Sequence, residues 1–434
     1  MTIPVVLAST SPSRLRLLVK AGIRPIVRPS FVDEPAVIQH FAEHTGTTAD
    51  TIPAKTRVLV LSLSKASAVA QAMQADEAAI RSASGERIVF GCRDESGKAH
   101  RIADDPLQKS MRQTPGLTGL KHGPLVIGCD SMFEFNGHVY GKPHNASTAR
   151  ERLLAMRGKR GTLWTGHTVI DLATGRREHL ASSAEVIFGN YSKQDIDRYI
   201  ATKEPLEVAG SFTLEGIGGA FIDSVIGDPH GVIGLSLSTL RSLTSRLRYE
   251  WTDLWNTVDS SAHGANGNGE FVHQPGDGWI DCSCGHRHWG LNGAAGMLLA
   301  RRDEATGKVT DVLLQHRAEW SAEGGTWGIP GGALADGENP LEGALRESFE
   351  EANITAQDVD IVGTHVEDHG NWAYTTVFAF EKPGHAVTAR INDGESLSVE
   401  WVPFSDVGKC RLLSYFGQNW PGFAERLSWL SAHV

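Results

Sequence analysis

The sequence predicts an α/β protein made of two domains. Three observations predict it. At 434 residues the chain is too long for one ordinary hydrophobic core. Short apolar runs alternate with helical periods from Val5 to Leu237, a βαβ-like order that suggests a mixed or parallel sheet. A Gly- and Asn-rich stretch from Val258 to Gly278, poor in apolar residues, reads as a flexible linker. The expected partition is residues 1–250, a linker over 251–280, and residues 281–434.

The elements follow in order. Val5 to Ala8 reads as a short buried strand. Ser11 suits an N-cap and Pro12 the first helical position, with Leu15, Leu17 and Leu18 apolar and Gly22 as the stop. A second helix is expected from about Val58 to Ala75 and carries Lys65. Residues 82–124 show little periodicity and read as a surface insertion. Leu125 to Ile127 returns to strand, Asn136-Gly137 marks a hairpin, and Ala146 to Met156 is helical. After the linker, Ala294 to Arg301 and Val309 to His316 look like strands.

Composition narrows the class. A chain 41% hydrophobic and 21% charged is globular in character. A net charge of −10 argues against a nucleic-acid polymer as partner but leaves nucleotides open. Five cysteines without regular spacing form no disulfide framework, so a cytoplasmic location is expected. The start lacks the basic region of a secretory signal, and no apolar run of about 20 residues is evident, so no membrane partner is expected.

The second half carries the stronger motif. Asn339 suits an N-cap, Pro340 the first helical position and Glu342 a capping box, while Asn353 suits a left-handed end. Between the caps, Glu347, Glu350 and Glu351 fall on one helical face. Carboxylates crowded there repel unless a hard dication such as Mg²⁺ or Mn²⁺ joins them, and the same ion can bridge phosphates. Arg346 precedes Glu350 by one turn and can pair with it, Leu341, Ala344, Leu345 and Ala352 should face the core, and Gly331-Gly332 should allow a tight turn. The pattern Gly332-x5-Glu338-x7-Arg346-Glu347-Ser348-Phe349-Glu350-Glu351-Ala352-Asn353-Ile354, led by Trp327-Gly328-Ile329-Pro330, resembles the Nudix hydrolase box. The resemblance implies an α/β/α sandwich, metal at Glu347, Glu350 and Glu351, a catalytic role for Glu350, substrate contact by Arg346, and hydrolysis of a nucleoside diphosphate-linked substrate. Ser348 and Asn353 depart from that box, which has a hydrophobe and a Gly there; Ser348 puts a polar group where the core is expected.

The first half offers a phosphate loop. Ser9 to Ser13 joins a strand to a helix N-terminus, whose N–H groups suit an anion, and Arg14 can add a charged fork. Asp130 follows an apolar strand, where α/β active sites gather, and Lys142 sits in Gly-Lys-Pro after the hairpin. Leu7-Ala8-Ser9-x-Ser11-Pro12-x-Arg14, Val32-Asp33-Glu34, Lys65-Ala66-x-Ala68-Val69-Ala70, Gly128-Cys129-Asp130-Ser131, Gly141-Lys142-Pro143 and Glu204-Pro205 together resemble the Maf family of nucleotide pyrophosphatases. That implies cleavage of a nucleoside triphosphate to its monophosphate and pyrophosphate. By position it implies Asp130 as base or metal ligand, Glu34 as a metal-side carboxylate, and Ser9, Arg14, Lys65 and Lys142 as phosphate contacts. Glu215 stands where the family has Gln, and Val208 where it has Lys, which alters the contact to the base.

A third group is Cys282-x-Cys284-x-His286-x-His288, four N/S donors that could hold Zn²⁺. On a straight strand they would spread over about 20 Å, so a turn at Gly285 is required. A strand that merely carries Cys and His is the simpler reading. Trp372 and Tyr374 can stack on a base or pack on the sheet.

The expected architecture is thus a Maf-like mixed α/β domain followed by a Nudix α/β/α sandwich. The expected function is bifunctional nucleotide hydrolysis in nucleotide-pool sanitation, with small-molecule nucleotides as partners and a homodimer left open. The alternative is a nucleotide-sensing regulator of cell division with one inactive domain, supported by Val208 and Glu215.

Overall fold

A computed structural model describes residues 2–83, 89–90, 92–93, 99–100, 116–117, 120–256, 275–319, 321, 323–391 and 396–433. Two compact units result: Met1–Ala70 with Lys121–Gly267, and Gln71–Leu120 with Asn268–Val434. Most of the expected linker lies outside the described residues.

The first unit is a mixed sheet. Val5–Leu7 pairs in parallel with Ile26–Val27 on one side and with Leu125–Phe135 on the other. Arg160–Asp171, Arg177–Phe188 and Ile222–Gly227 then follow, each antiparallel to the one before. Side chains alternate across the sheet. On one face, Val5, Leu7, Leu125, Ile127 and Cys129 pack with Leu17, Leu18, Leu240 and Leu243 from helices. A second cluster joins Phe133, Phe135, Leu163 and Val186 to Leu153, Met156, Ile196 and Tyr199. The helix Ala146–Met156 and the Asn136-Gly137 turn, both residues at positive φ, are as the sequence predicts.

Three expectations are corrected here. The strand holding Asp130 does not end at Ile127 but runs Leu125–Phe135, because it continues into a hairpin with His138–Tyr140. Its pairing with Val5–Leu7 does stop at Ile127, so Asp130 still lies just past the end of its parallel neighbour. The helix begun near Val58 is longer, Ala54–Ala83, and by length and composition it could cross a membrane. Yet 44% of that stretch is buried in the protein, and Lys65 on it forms ion pairs. The segment expected as a surface insertion groups up to Leu120 with the second unit, and its strand Val89–Phe90 hydrogen-bonds to Gly363 and Thr364 in parallel. The remainder, including most of 101–119, lies outside the described residues.

Helix Ala54–Ala83 sits unusually close to the first sheet. A Cβ on Gly128 would overlap the Ser62 carbonyl oxygen, and one on Gly166 would overlap that of Val58. Backbone therefore rests on backbone, a contact only glycine allows. Ser62 Oγ meets Thr168 Oγ1 at 2.9 Å inside the same contact.

The second unit is a sheet between two helices. Its strand order is Trp327–Gly328, Val309–Arg317, Ala294–Arg302, Ala373–Glu381, Val359–Asp368, Val89–Phe90, with Gly331–Ala333 on the third and Ser396–Pro403 on the second. Along Ala294–Arg302 the faces alternate. Met297 and Leu299 meet helix Pro340–Ala352 through Leu341, Ala344 and Leu345. Leu298 and Ala300 meet helix Ser414–His433 through Phe416, Trp420, Phe423 and Leu427. This is the α/β/α sandwich the resemblance implies.

His167 is fully buried in the first unit, and its Nε2 accepts the Ser236 N–H at 2.8 Å. Burial lowers its pKa from 6.5 to about 4, so it folds neutral. Below about 6.5 the unfolded chain takes up a proton that the fold refuses. Stability of this unit should fall as pH drops from about 6.5 toward 4. Urea unfolding at stepped pH should show that slope, and His167→Gln should flatten it; an unaltered slope would exclude His167 as its source.

Candidate functional site

The second-unit site is built on helix Pro340–Ala352. Asn339 caps it, accepting from Leu341 N and Glu342 N at 3.0 Å, and Glu342 returns the box by accepting the Asn339 N–H at 3.1 Å. Asn353 closes it at φ 57°, ψ 32°, the left-handed end expected. Ser348, polar in the core, donates to the Ala344 carbonyl at 2.6 Å, which satisfies its hydroxyl within the helix.

Arg346 organises the carboxylates. Its side chain is 2% exposed. Nε and Nη2 donate to the two Glu338 oxygens at 2.8 and 3.0 Å. Nη1 donates to Glu347 at 2.7 Å and Glu350 at 3.1 Å, and Nη2 also reaches the Ala333 carbonyl at 2.8 Å. All its N–H groups are thereby used within the protein. Arg346, expected to meet substrate, is placed buried with its N–H groups turned to protein acceptors. Glu338, whose box position gave it no stated role, is its main partner.

Glu351 accepts the Gly331 N–H at 2.8 Å. Gly331 and Gly332 do not make the tight turn expected; they pair as a strand with Gly296 and Ala295. Their small size serves close approach instead, since a Cβ on Gly332 would overlap the Glu347 carboxylate. Burial pushes the Glu347 carboxyl up to about 8, with Arg346 opposing and Glu350 adding to the rise. Hard carboxylate oxygens of this kind fit Mg²⁺ or Mn²⁺.

The first-unit site gathers three separate stretches. Lys65, on its helix, places Nζ 2.6 Å from Glu34 Oε1 and 2.7 Å from Asp130 Oδ1. Glu34 starts helix Glu34–Thr45, whose N-cap Asp33 accepts from Ala36 N. Asp130 is buried, and burial raises its pKa, with Lys65 opposing. Both carboxylates therefore converge on one point now held by an ammonium group, an arrangement that also fits a dication.

Arg14 is mostly committed to the protein. Nη1 donates to Ser9 Oγ at 3.0 Å and the Cys129 carbonyl at 2.9 Å, Nε to the Gly234 carbonyl at 2.9 Å, and Nη2 to Ser131 Oγ at 3.3 Å. It ties the Ser9–Ser13 loop to the strand of Asp130. Ser11, at the head of helix Pro12–Lys20, makes no side-chain cap. Glu215 is held by Arg16 at 2.6 Å, and Arg16 also donates to Ser13 Oγ at 3.1 Å. Arg16 escaped the sequence reading because it belongs to no quoted motif. Lys142 is exposed beyond strand His138–Tyr140.

The Cys/His group is rearranged. Cys282, Cys284 and His288 come together with His369, not with His286, which is exposed on the turn. Trp372 stacks on His288 at 4.1 Å, and Tyr374 lies 5.1 Å from Tyr415.

Comparisons with known proteins give the families. A family model described as Maf-like protein matches residues 4–247, and one described as NUDIX domain matches residues 291–420. The nucleoside triphosphate pyrophosphatase/Nudix hydrolase fusion protein of Bifidobacterium longum (strain NCC 2705) is 51% identical, covering 99% of this chain and 99% of its own length. The nucleoside triphosphate pyrophosphatase of Leifsonia xyli subsp. xyli is 41% identical over 59% of this chain and 98% of its own. A solved Nudix hydrolase from M. smegmatis, RenU, is 36% identical over 35% of this chain and 94% of its own, with a TM-score of 0.32.

Arg346→Lys keeps one charge but loses the planar fork that serves Glu338. It should destabilise the second unit by about 3 kcal/mol, since buried carboxylates lose their partner. Denaturant unfolding followed by tryptophan fluorescence reads this; an unchanged midpoint would contradict the role given to Arg346.

Proposed function

The chain belongs to the Maf-like protein family, joined in one polypeptide to a NUDIX domain, and from that premise we propose that it is a bifunctional hydrolase of nucleotide phosphoanhydrides. The activities divide between residues 1–250 and 281–434, with 251–280 between them. One observation carries the reading: each unit brings carboxylates together around a cation, Glu34 with Asp130 at Lys65 and Glu347 with Glu350 at Arg346, while Glu351 on the same helix accepts the Gly331 N–H.

The N-terminal unit cleaves a nucleoside triphosphate between its α and β phosphates. Water adds to the α phosphorus, and pyrophosphate leaves. Asp130 takes the proton from that water, and its burial beside Glu34 supports the role by raising its basicity. Lys65 lies where it can offset charge on the polyphosphate tail, with Ser9 and Arg14 shaping the loop that receives it. Lys142 supplies a further cation at the rim, and Glu215, steadied by Arg16, faces the base.

The C-terminal unit hydrolyses a nucleoside diphosphate-linked substrate. Glu347, Glu350 and Glu351 would hold Mg²⁺ or Mn²⁺, which would supply charge neutralisation at the phosphates. Glu350 orients the attacking water, and Arg346 keeps the carboxylates in register. Together the two activities suit clearance of surplus or non-standard nucleotides in the cytoplasm. A sensor that binds without turnover has less support, because both carboxylate clusters are retained.

Asp130→Asn and Glu350→Gln should each abolish one activity, by roughly a hundredfold or more, and spare the other. Pyrophosphate release from nucleoside triphosphates and turnover of nucleoside diphosphate conjugates, measured on both full-length variants, test this. Loss of both activities in either variant, or of neither, would refute the division.

A further inference from the structure

We propose that Cys282, Cys284, His288 and His369 form a tetrahedral site for a structural zinc ion, separate from both hydrolytic sites. Their ligand atoms all lie within 4.8 Å of one another. Around tetrahedral Zn²⁺, with Zn–S about 2.3 Å and Zn–N about 2.0 Å, donor atoms stand roughly 3.3 to 3.8 Å apart. Side-chain shifts of about 1 Å close the site. Cys284 Sγ and His288 Nε2 are already at 3.2 Å.

His369 supplies an independent sign. Its Nδ1 is buried and has no hydrogen-bond partner among the described residues. A buried polar atom left so is costly unless a ligand satisfies it. The donor set also selects the ion. Two thiolates cancel the charge of a dication, and thiolate with imidazole favours Zn²⁺ over Mg²⁺.

The scaffold for this site is prebuilt. Strands Trp279–Asp281 and Arg287–Trp289 form their own two-stranded sheet. Their turn is tied by Cys282 N to the His286 carbonyl at 2.9 Å and by Gly285 N to the Cys282 carbonyl at 3.0 Å, with Gly285 at φ 86°. The loop after Val359–Asp368 docks on it. Asn371 accepts from Ser283 N at 2.9 Å and donates to the Asp281 carbonyl at 3.0 Å. Trp372 donates to the Trp289 carbonyl at 3.2 Å and stacks on the His288 ring with a 10° interplanar angle, which fixes the imidazole.

An isolated two-stranded hairpin is marginal in water. This one leaves Trp279 and Trp289 about two-fifths exposed, so part of its apolar surface stays in water. A metal cross-link from the hairpin to His369 provides the missing stability. It also anchors the strand Ala373–Glu381 where that strand begins, opposite Ala294.

Full-length protein purified without chelator should carry one zinc per chain by elemental analysis. Cobalt(II) added to the zinc-stripped protein should give intense tetrahedral d–d bands and thiolate-to-cobalt charge transfer. Cys284→Ser and His369→Ala should lower zinc content roughly tenfold or more, while His286→Ala keeps it. Zinc-free wild-type protein that also fails to give the cobalt spectrum overturns the proposal. So does a His369→Ala protein that retains wild-type zinc. Should a variant fail to fold, the wild-type cobalt spectrum still decides.

Discussion

One guanidinium holds the second unit's chemistry together. Arg346 divides its donors between Glu338, which pins it from below, and Glu347 and Glu350, which it draws to the surface of the helix. Carboxylates this close and this buried repel each other. Burial is the main cause of the raised Glu347 carboxyl, with Arg346 opposing it and Glu350 adding to it. The caps and the Ser348 hydroxyl satisfy the helix's own polar groups, and the glycine opposite Glu347 lets the carboxylate approach the sheet. A dication held by these carboxylates would supply the charge that lets a polyphosphate bind as a ligand.

The first unit meets the same constraint with different parts. Asp130 and Glu34 come from a strand and a helix start distant in sequence, and Lys65 from a third element joins them. That junction requires the helix of Lys65 to lie almost in contact with the sheet. Gly128 and Gly166 make the approach possible. Arg14 then locks the phosphate loop to the same strand through the Cys129 carbonyl. Two different folds thus arrive at carboxylates held together by a cation.

Much of this was legible in the sequence, because its signals are local. Asn339, Pro340, Glu342 and Asn353 announce a helix by capping chemistry alone, and the periodicity of Leu341, Ala344 and Leu345 gives its buried face. The carboxylate set follows from that helix by simple geometry. What sequence could not supply is which partner each charged group finds. The Arg346–Glu350 pair follows from helical spacing, but the Arg346–Glu338 pair depends on a loop returning to the helix. His369 could not be linked to Cys282 and Cys284 before the hairpin and the distant loop were seen to meet. The strand of Asp130 was cut short because Gly128 and Ser131 interrupt its apolar run, although ladder pairing carries it on to Phe135. Residues 82–124 lack periodicity, yet Val89–Phe90 adds to a sheet edge through backbone bonds, which leave no side-chain signature.

Each set of carboxylates is proposed to bind a dication that recruits polyphosphate. Calorimetric titration of manganese into the full-length chain, with a non-hydrolysable nucleoside triphosphate analogue present, tests it most directly. The account predicts saturable uptake that diminishes when Glu347 and Glu351 are changed to Gln and disappears when Glu34 and Asp130 are neutralised as well. Absence of uptake by the unaltered chain, or uptake indifferent to all four changes, would contradict it.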